Sequence, residues 1–273
     1  MSAVAVCSSG GALGRVNQDA ACALWAKSTL GDIGMAVVCD GVGGLAHGQK
    51  ASATVAHAFY RWFKAELPGY VAHRRRIDLD AVQTSWQAVL VNLNGMLRMQ
   101  GAELGSQMGT TFTGLLACGG EYLVGHVGDS RAYRIARDCE EQLTEDQTLA
   151  VYLQRQGRMV TGNALEQVEG HAILQAVGAA DKIDPVFCRE AFEKEDRFVL
   201  CTDGAYQTLR QGDLNRTFFE NTTLDDSMLS EACKDLVQTC MRRGELDNVT
   251  VACLGLQPYD DPVLTMATGG GRP

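Results

Sequence analysis

Three aspartates of this chain sit where an apolar run breaks off, and a fourth sits just before one. Asp40 ends Met35–Cys39, Asp129 follows Tyr122–Val127, Asp203 follows Phe198–Cys201, and Asp247 precedes Val249–Leu254. Short apolar runs of this kind read as buried strands, and strands of one layered core can deliver their ends to a common rim. Four carboxylates gathered there would repel: two unit charges about 4 Å apart cost about 4 kcal/mol at an effective dielectric near 20. Hard divalent cations remove that penalty, and oxygen ligands select magnesium or manganese over zinc. A lone Asp-Gly after a strand usually marks only a turn. Four such acids in longer patterned strings point to a metal centre.

The elements that must position these acids follow from periodicity. Strands are predicted around Ala3–Cys7, Ala20–Ala26 and Met35–Cys39, the last running into a loop of glycines at 41, 43, 44 and 48. A helix follows, with Ala51, Val55, Phe59 and Phe63 on one stripe, and it should stop near Pro68-Gly69. A second helix spans Leu79–Met99, with Val82, Trp86, Val89, Leu90, Leu93 and Leu97 on its apolar face, before Gly101–Met108 breaks the pattern. Strands are expected at Thr111–Ala117, Tyr122–Val127 and Arg131–Ala136, the first two joined by a Gly119-Gly120 hairpin turn. Residues 143–180 are less regular and predict short surface helices. Phe198–Cys201 reads as a strand, Leu229–Met241 as a helix, Val249–Leu254 as a closing strand and Thr265–Pro273 as a loose tail. Strands group with strands and the long helices are adjacent, which argues for α+β layers in one domain.

Composition narrows the function classes. The chain has 273 residues, 46% apolar and 21% charged, enough to bury a sizeable core. Its net charge of −9 disfavours nucleic acid and anionic membrane surfaces as partners. An acidic protein that handles phosphate must offset the repulsion locally, and metal ions are the obvious means. No apolar run approaches the length of a membrane span, and Met1–Gly10 lacks the basic start and long apolar stretch of a signal peptide. Ten cysteines are scattered without a C-x-x-C pair, several inside apolar strands where a thiol acts as a small hydrophobe. Reduced core cysteines and a cytoplasmic setting are therefore expected.

Taken in order, the strings resemble those of the metal-dependent (type 2C) serine/threonine protein phosphatases in their bacterial form. Asp40-Gly41-Val42-Gly43-Gly44, followed by Gly48, Ala51 and Ser52, is similar to D-G-M-G-G-x-x-x-G-x-x-A-S. Gly109-Thr110-Thr111 resembles G-T-T, Val127-Gly128-Asp129-Ser130-Arg131 resembles V-G-D-S-R, and Leu143-Thr144-Glu145-Asp146 resembles L-T-x-D. Ala176-Val177-Gly178, Thr202-Asp203-Gly204 and Asp247-Asn248-Val249-Thr250 complete the set, whose order and spacing hold from about residue 8 to 256.

The resemblance implies an αββα sandwich, two antiparallel sheets flanked by helix pairs, as a single catalytic domain over residues 1–260. A flap at about 147–175 and a flexible tail at 261–273 go with it. It implies a binuclear Mn2+ or Mg2+ centre with Asp40 bridging, the Gly41 carbonyl on one ion, and Asp203 and Asp247 on the other. Asp129 would hold a weaker third ion with Asp203, and Asp19, in Asn17-Gln18-Asp19, would orient water. The activity implied is direct hydrolysis of phosphoserine and phosphothreonine in proteins, opposing a bacterial Ser/Thr kinase, by a monomeric enzyme.

Some positions depart from the pattern. The arginine usual five residues before Asp19 is replaced by Gly14, and Arg15 lies one residue late. Because forked guanidinium donors suit a phosphate dianion, either Arg15 swings in or substrate binding is weaker. Gln18 and Gln49 stand where acids often lie and should lower metal affinity modestly. Val42 replaces the histidine some relatives carry, so the general acid is open; His47 and His171 lie near the site strings but read as ordinary histidines. The basic run His73-Arg74-Arg75-Arg76 reads as a solvated loop. A catalytically silent phosphoprotein-binding module would have lost metal-ligand acids, and none of the four is lost. A phosphodiesterase-type site would gather histidines, and the five here are dispersed.

Overall fold

Several strands of this chain are apolar on both faces, and the structure uses both. In the computed structural model, which describes residues 2–11, 16–42, 47–72, 74–157, 172–193, 195–220 and 225–256, the strands form two antiparallel five-stranded sheets. The first sheet runs β1 (Ala3–Ser9), β10 (Val249–Gly255), β9 (Arg197–Cys201), β6 (Arg131–Ala136), β7 (Cys139–Gln142). The second runs β2 (Ala20–Ser28), β3 (Gly31–Cys39), β4 (Phe112–Cys118), β5 (Glu121–Val127), β8 (Val186–Ala191).

Alternation along each central strand sorts its residues between two cores. In β3, Met35, Val37 and Cys39 join a core under the helices, while Ala36 and Val38 face the other sheet. In β10, Val251 and Cys253 face a second helical layer, while Ala252 and Leu254 turn inward to the sheet interface. The layers are therefore helices, sheet, sheet, helices, the α+β sandwich anticipated above.

On the second sheet lie α1 (Gly48–Ala65) and α3 (Leu79–Glu103), pinned by an aromatic cluster. Phe59 of α1 stacks on Phe112 at 4.3 Å and meets the edge of Trp86 of α3 at 5.2 Å. Asp78 caps α3 by accepting from Ala81 N at 3.0 Å. The first sheet is covered by α6 (Asp226–Arg242), which buries Leu229, Cys233, Leu236 and Cys240 and is capped by Asp225.

Some boundaries differ from the expectations. Pro68 does not end α1; the helix closes at Ala65, and Pro68 sits in the first turn of a short α2 (Leu67–Val71), where its missing N–H costs nothing. Gly101 does not break α3, which continues to Glu103. A Cβ at Gly101 would lie 2.7 Å from the Ser106 carbonyl oxygen, so the glycine serves the chain folding back over the helix end. The irregular stretch after residue 143 contains α4 (Leu149–Arg155), and residues 158–171 of the expected flap and the tail at 261–273 lie outside the described residues. Strands β7 and β8 were not anticipated. Both are edge strands: β7 is polar and half-exposed, and β8 is largely exposed with only Phe187 and Cys188 partly buried, so neither carries a continuous apolar run. All ten cysteines are free thiols, and no described helix is long and apolar enough to cross a membrane.

Candidate active site

The strand registers bring the selected acids to one end of the sandwich. Cys39 pairs with Ala20, placing Asp40 beside Asp19, and Cys201 pairs with both Arg131 and Val251, placing Asp203 between the Asp129 and Asp247 turns.

Each backbone turn is held by neutral groups from another string. The Asp40 N–H donates to Thr111 Oγ1 at 2.8 Å, and the Asp40 carbonyl accepts from Thr110 Oγ1 and Thr111 N, each at 2.8 Å. Thr111 Oγ1 also meets Ser130 Oγ at 2.7 Å, tying the Asp40 turn to the Asp129 turn. Gly41 N and Ser52 Oγ both donate to the Gln18 carbonyl, at 3.1 and 2.5 Å. Gly41 and Gly48 press together so closely that a Cβ on Gly41 would lie 2.6 Å from the Gly48 carbonyl carbon. Gln18 N donates to Asn248 Oδ1 at 2.8 Å, and Thr202 Oγ1 accepts from Thr250 N at 3.1 Å. The threonines and asparagine of the strings are thus splints between turns, a role that their sequence positions alone did not reveal.

The electrostatics show the acids meeting. Asp40 is held well above the usual carboxylate range, first by burial and then by the charges of Asp19, Asp203 and Asp129. Asp203 is raised by burial and by the Asp247 charge. Asp19 is pushed up to about 6, chiefly by burial, against hydrogen bonds from Thr250 and Thr202. Asp129 is pushed up to about 7 by burial and by Asp203 and Asp146. Asp247 is exposed at the rim, its Oδ1 accepting from Asn248 N at 2.8 Å.

Among the described residues no three His, Cys, Asp or Glu side chains are drawn tightly enough to hold an ion by themselves. The chemistry of the donor set nevertheless fits a hard divalent cation. It is all oxygen, and Oδ1 of Asp19 and Oδ1 of Asp129 are buried without any hydrogen-bond partner. Arg15 and His171 lie outside the described residues. His47 is exposed and caps α1 in a left-handed conformation, φ 67°. The basic run is a surface loop where Arg74 pairs with Asp78 and Arg76 forks onto Glu121.

A family model described as protein phosphatase 2C matches residues 11–238. The chain belongs to that family. It is 28% identical over 239 residues to the serine/threonine protein phosphatase PstP of Mycobacterium tuberculosis, covering 85% of this chain but only 43% of PstP. It is 25% identical over 216 residues to the serine/threonine phosphatase stp of Listeria innocua, covering 79% of this chain and 81% of that protein. The fold is shared with the solved Streptococcus agalactiae serine/threonine phosphatase, with a TM-score of 0.76 at 23% identity over 94% of this chain and all of that one. It is also shared with the PstP catalytic domain solved with two manganese ions, with a TM-score of 0.69 at 24% identity over 94% of this chain and 98% of that one.

Proposed function

We propose that this protein hydrolyses phosphoserine and phosphothreonine side chains of other proteins, using divalent manganese or magnesium at the acidic rim. The reading rests on one observation: the strand registers carry Asp40, Asp203, Asp19, Asp129 and Asp247, distant in sequence, to one end of the sandwich, where their charges act on one another. The proposed ligands are Asp40, the Gly41 carbonyl, Asp203 and Asp247, with Asp129 and Asp203 holding a weaker third ion. Bound ions supply acidified water and neutralise charge on the phosphoryl oxygens.

The chain's own groups divide the remaining work. Thr202 pins Asp19 Oδ2 at 2.9 Å, leaving Oδ1 free to orient water toward phosphorus. Arg15 is assigned the substrate phosphate. The nearby thiols are unsuited to nucleophilic attack. Cys39, buried and flanked by Asp19 and Asp40, is held protonated, and Cys201 is driven the same way by burial. The relatives are named serine/threonine phosphatases, so phosphorylated proteins are the proposed substrates and a bacterial Ser/Thr kinase the opposing activity. The reading also takes the chain as one catalytic domain over 1–260 that works as a monomer in the cytoplasm, with 147–175 as a flap over the substrate and 261–273 as a tail.

Phosphate release from a phosphothreonine peptide should require manganese and cease with chelator. Asp40→Asn and Asp203→Asn should fold, by circular dichroism, yet be nearly inactive; full activity in either contradicts the assignment.

A further inference from the structure

The Asp129 and Asp203 turns grow from neighbouring strands, and one side chain joins them face-on. Arg131, two residues beyond Asp129, lays its guanidinium over the ring of Tyr206, with Cζ 3.7 Å from the ring centroid. Tyr206 closes the single helical turn that Asp203 opens, α5 (Asp203–Tyr206). The edge of the same guanidinium is committed elsewhere. Its Nε and Nη2 fork onto the Asp146 carboxylate at 2.8 and 2.7 Å, and Nη1 reaches Tyr133 Oη at 3.3 Å. The segment after Asp146 is in turn fastened beside Asp129: Gln147 N donates to the Gly128 carbonyl at 2.8 Å, and Gly128 N donates to Gln147 Oε1 at 2.9 Å.

With its edge held by a carboxylate and its face by an aromatic ring, Arg131 has little freedom to move. An aromatic face is also a contact that leaves the aspartate oxygens alone. Tyr206 lies just past the Thr202-Asp203-Gly204 string and had no role in the sequence reading.

We propose that Tyr206 is a positioning residue, which through the Arg131 guanidinium sets the spacing of Asp129 and Asp203 and so the affinity for the weakest-held divalent ion. The inference rests on the function proposed above and adds a residue to it. It is the ring that acts, so phenylalanine substitutes and an aliphatic side chain does not.

The test is manganese binding, read from the electron paramagnetic resonance signal of free Mn2+ during titration of wild type, Y206F and Y206L, with folding checked by circular dichroism. Wild type and Y206F should show the same binding steps. Y206L should keep the tight steps and shift the weakest to about tenfold higher manganese, the scale of a desolvated cation–π contact. Phosphatase activity of Y206L should recover as manganese is raised across the same range. A merely structural role would lower Tm without moving the weak step, so a Y206L weak step at the wild-type concentration overturns the proposal. Should Y206L fail to fold, Y206M takes its place under the same criterion. A wild-type protein that binds no manganese refutes the function reading itself, and that result is distinct from equal steps in the two proteins.

Discussion

Asn94 offers a sharp test of how the helical layer holds the site. It sits in the middle of α3, buried, and bonds nothing in its own helix. Its Oδ1 accepts from Gly178 N at 2.7 Å and its Nδ2 donates to the Ala180 carbonyl at 3.0 Å. The next residue back, Val177, exchanges hydrogen bonds with Thr110 at 2.8 and 3.1 Å, and the Thr110 hydroxyl holds the Asp40 carbonyl. Asn94→Ala would leave a buried N–H and a carbonyl without partners. At about 1–3 kcal/mol for each unsatisfied group, partly relieved by entering water, the expected loss is about 2–4 kcal/mol. For a domain of this size 1 kcal/mol corresponds to about 2–4 °C in Tm, so the metal-free variant should melt about 4–16 °C lower. Amide exchange at Gly178 should accelerate selectively, and phosphatase activity at low temperature should fall with it, since the Asp40 turn loses its backing. A melting point within about 1 °C of wild type, with unchanged exchange at Gly178, would show that the bonds contribute nothing and that the link from α3 to Asp40 is not real.

Two further substitutions test other features. His47 occupies the left-handed region at φ 67°, which costs a residue bearing a Cβ about 1 kcal/mol or more; His47→Gly should therefore raise Tm by about 2–4 °C, and a fall in Tm in calorimetry would refute the strain argument. Asp213 is held below the usual carboxylate range, first by its hydrogen bond from Arg243 at 2.5 Å. Its stabilisation is complete above the unfolded carboxylate pKa near 4 and is lost as pH falls through the lower folded value. Asp213→Asn should thus lose less stability than wild type between pH 5 and pH 3 in urea unfolding, and equal losses would contradict the assignment.

What the sequence disclosed follows from which forces leave a local imprint. The central strands were legible because burial on both faces forces continuous apolar runs, as in Met35–Cys39 and Phe198–Cys201. The edges were not. Cys139–Gln142 reads C-E-E-Q, and its strand exists only because β6 offers a register from Tyr133 to Ala136. The acids were found because each interrupts an apolar run, whereas the hydroxyls that hold them look like ordinary strand threonines. Thr202 and Thr250 are recognisable as partners only once β9 and β10 are known to be neighbours. The clamp of Arg131 between Asp146 and Tyr206 is invisible for the same reason, since it depends on three segments meeting in space.

The choice of splints explains how a strongly repelling site can persist in a folded chain. Gln18 shows the arrangement: its carbonyl gathers Gly41 and Ser52 of the second sheet and its helix, while its N–H reaches Asn248 at the start of the first sheet's β10. Both sheets are fastened to each other at the acidic rim by groups that carry no charge. Lysine or arginine placed against the same acids would neutralise them and occupy the oxygens that a cation needs. Arg131, two residues beyond Asp129, instead spends its fork on Asp146 and its face on Tyr206. Because the hydroxyls, amides and backbone groups grip mainly the main chain, buried oxygens of Asp19 and Asp129 stay unpartnered. An arrangement that tolerates unpaired buried carboxylate oxygens stores free energy that a divalent ion can release, so metal binding and folding stability should rise together in this protein.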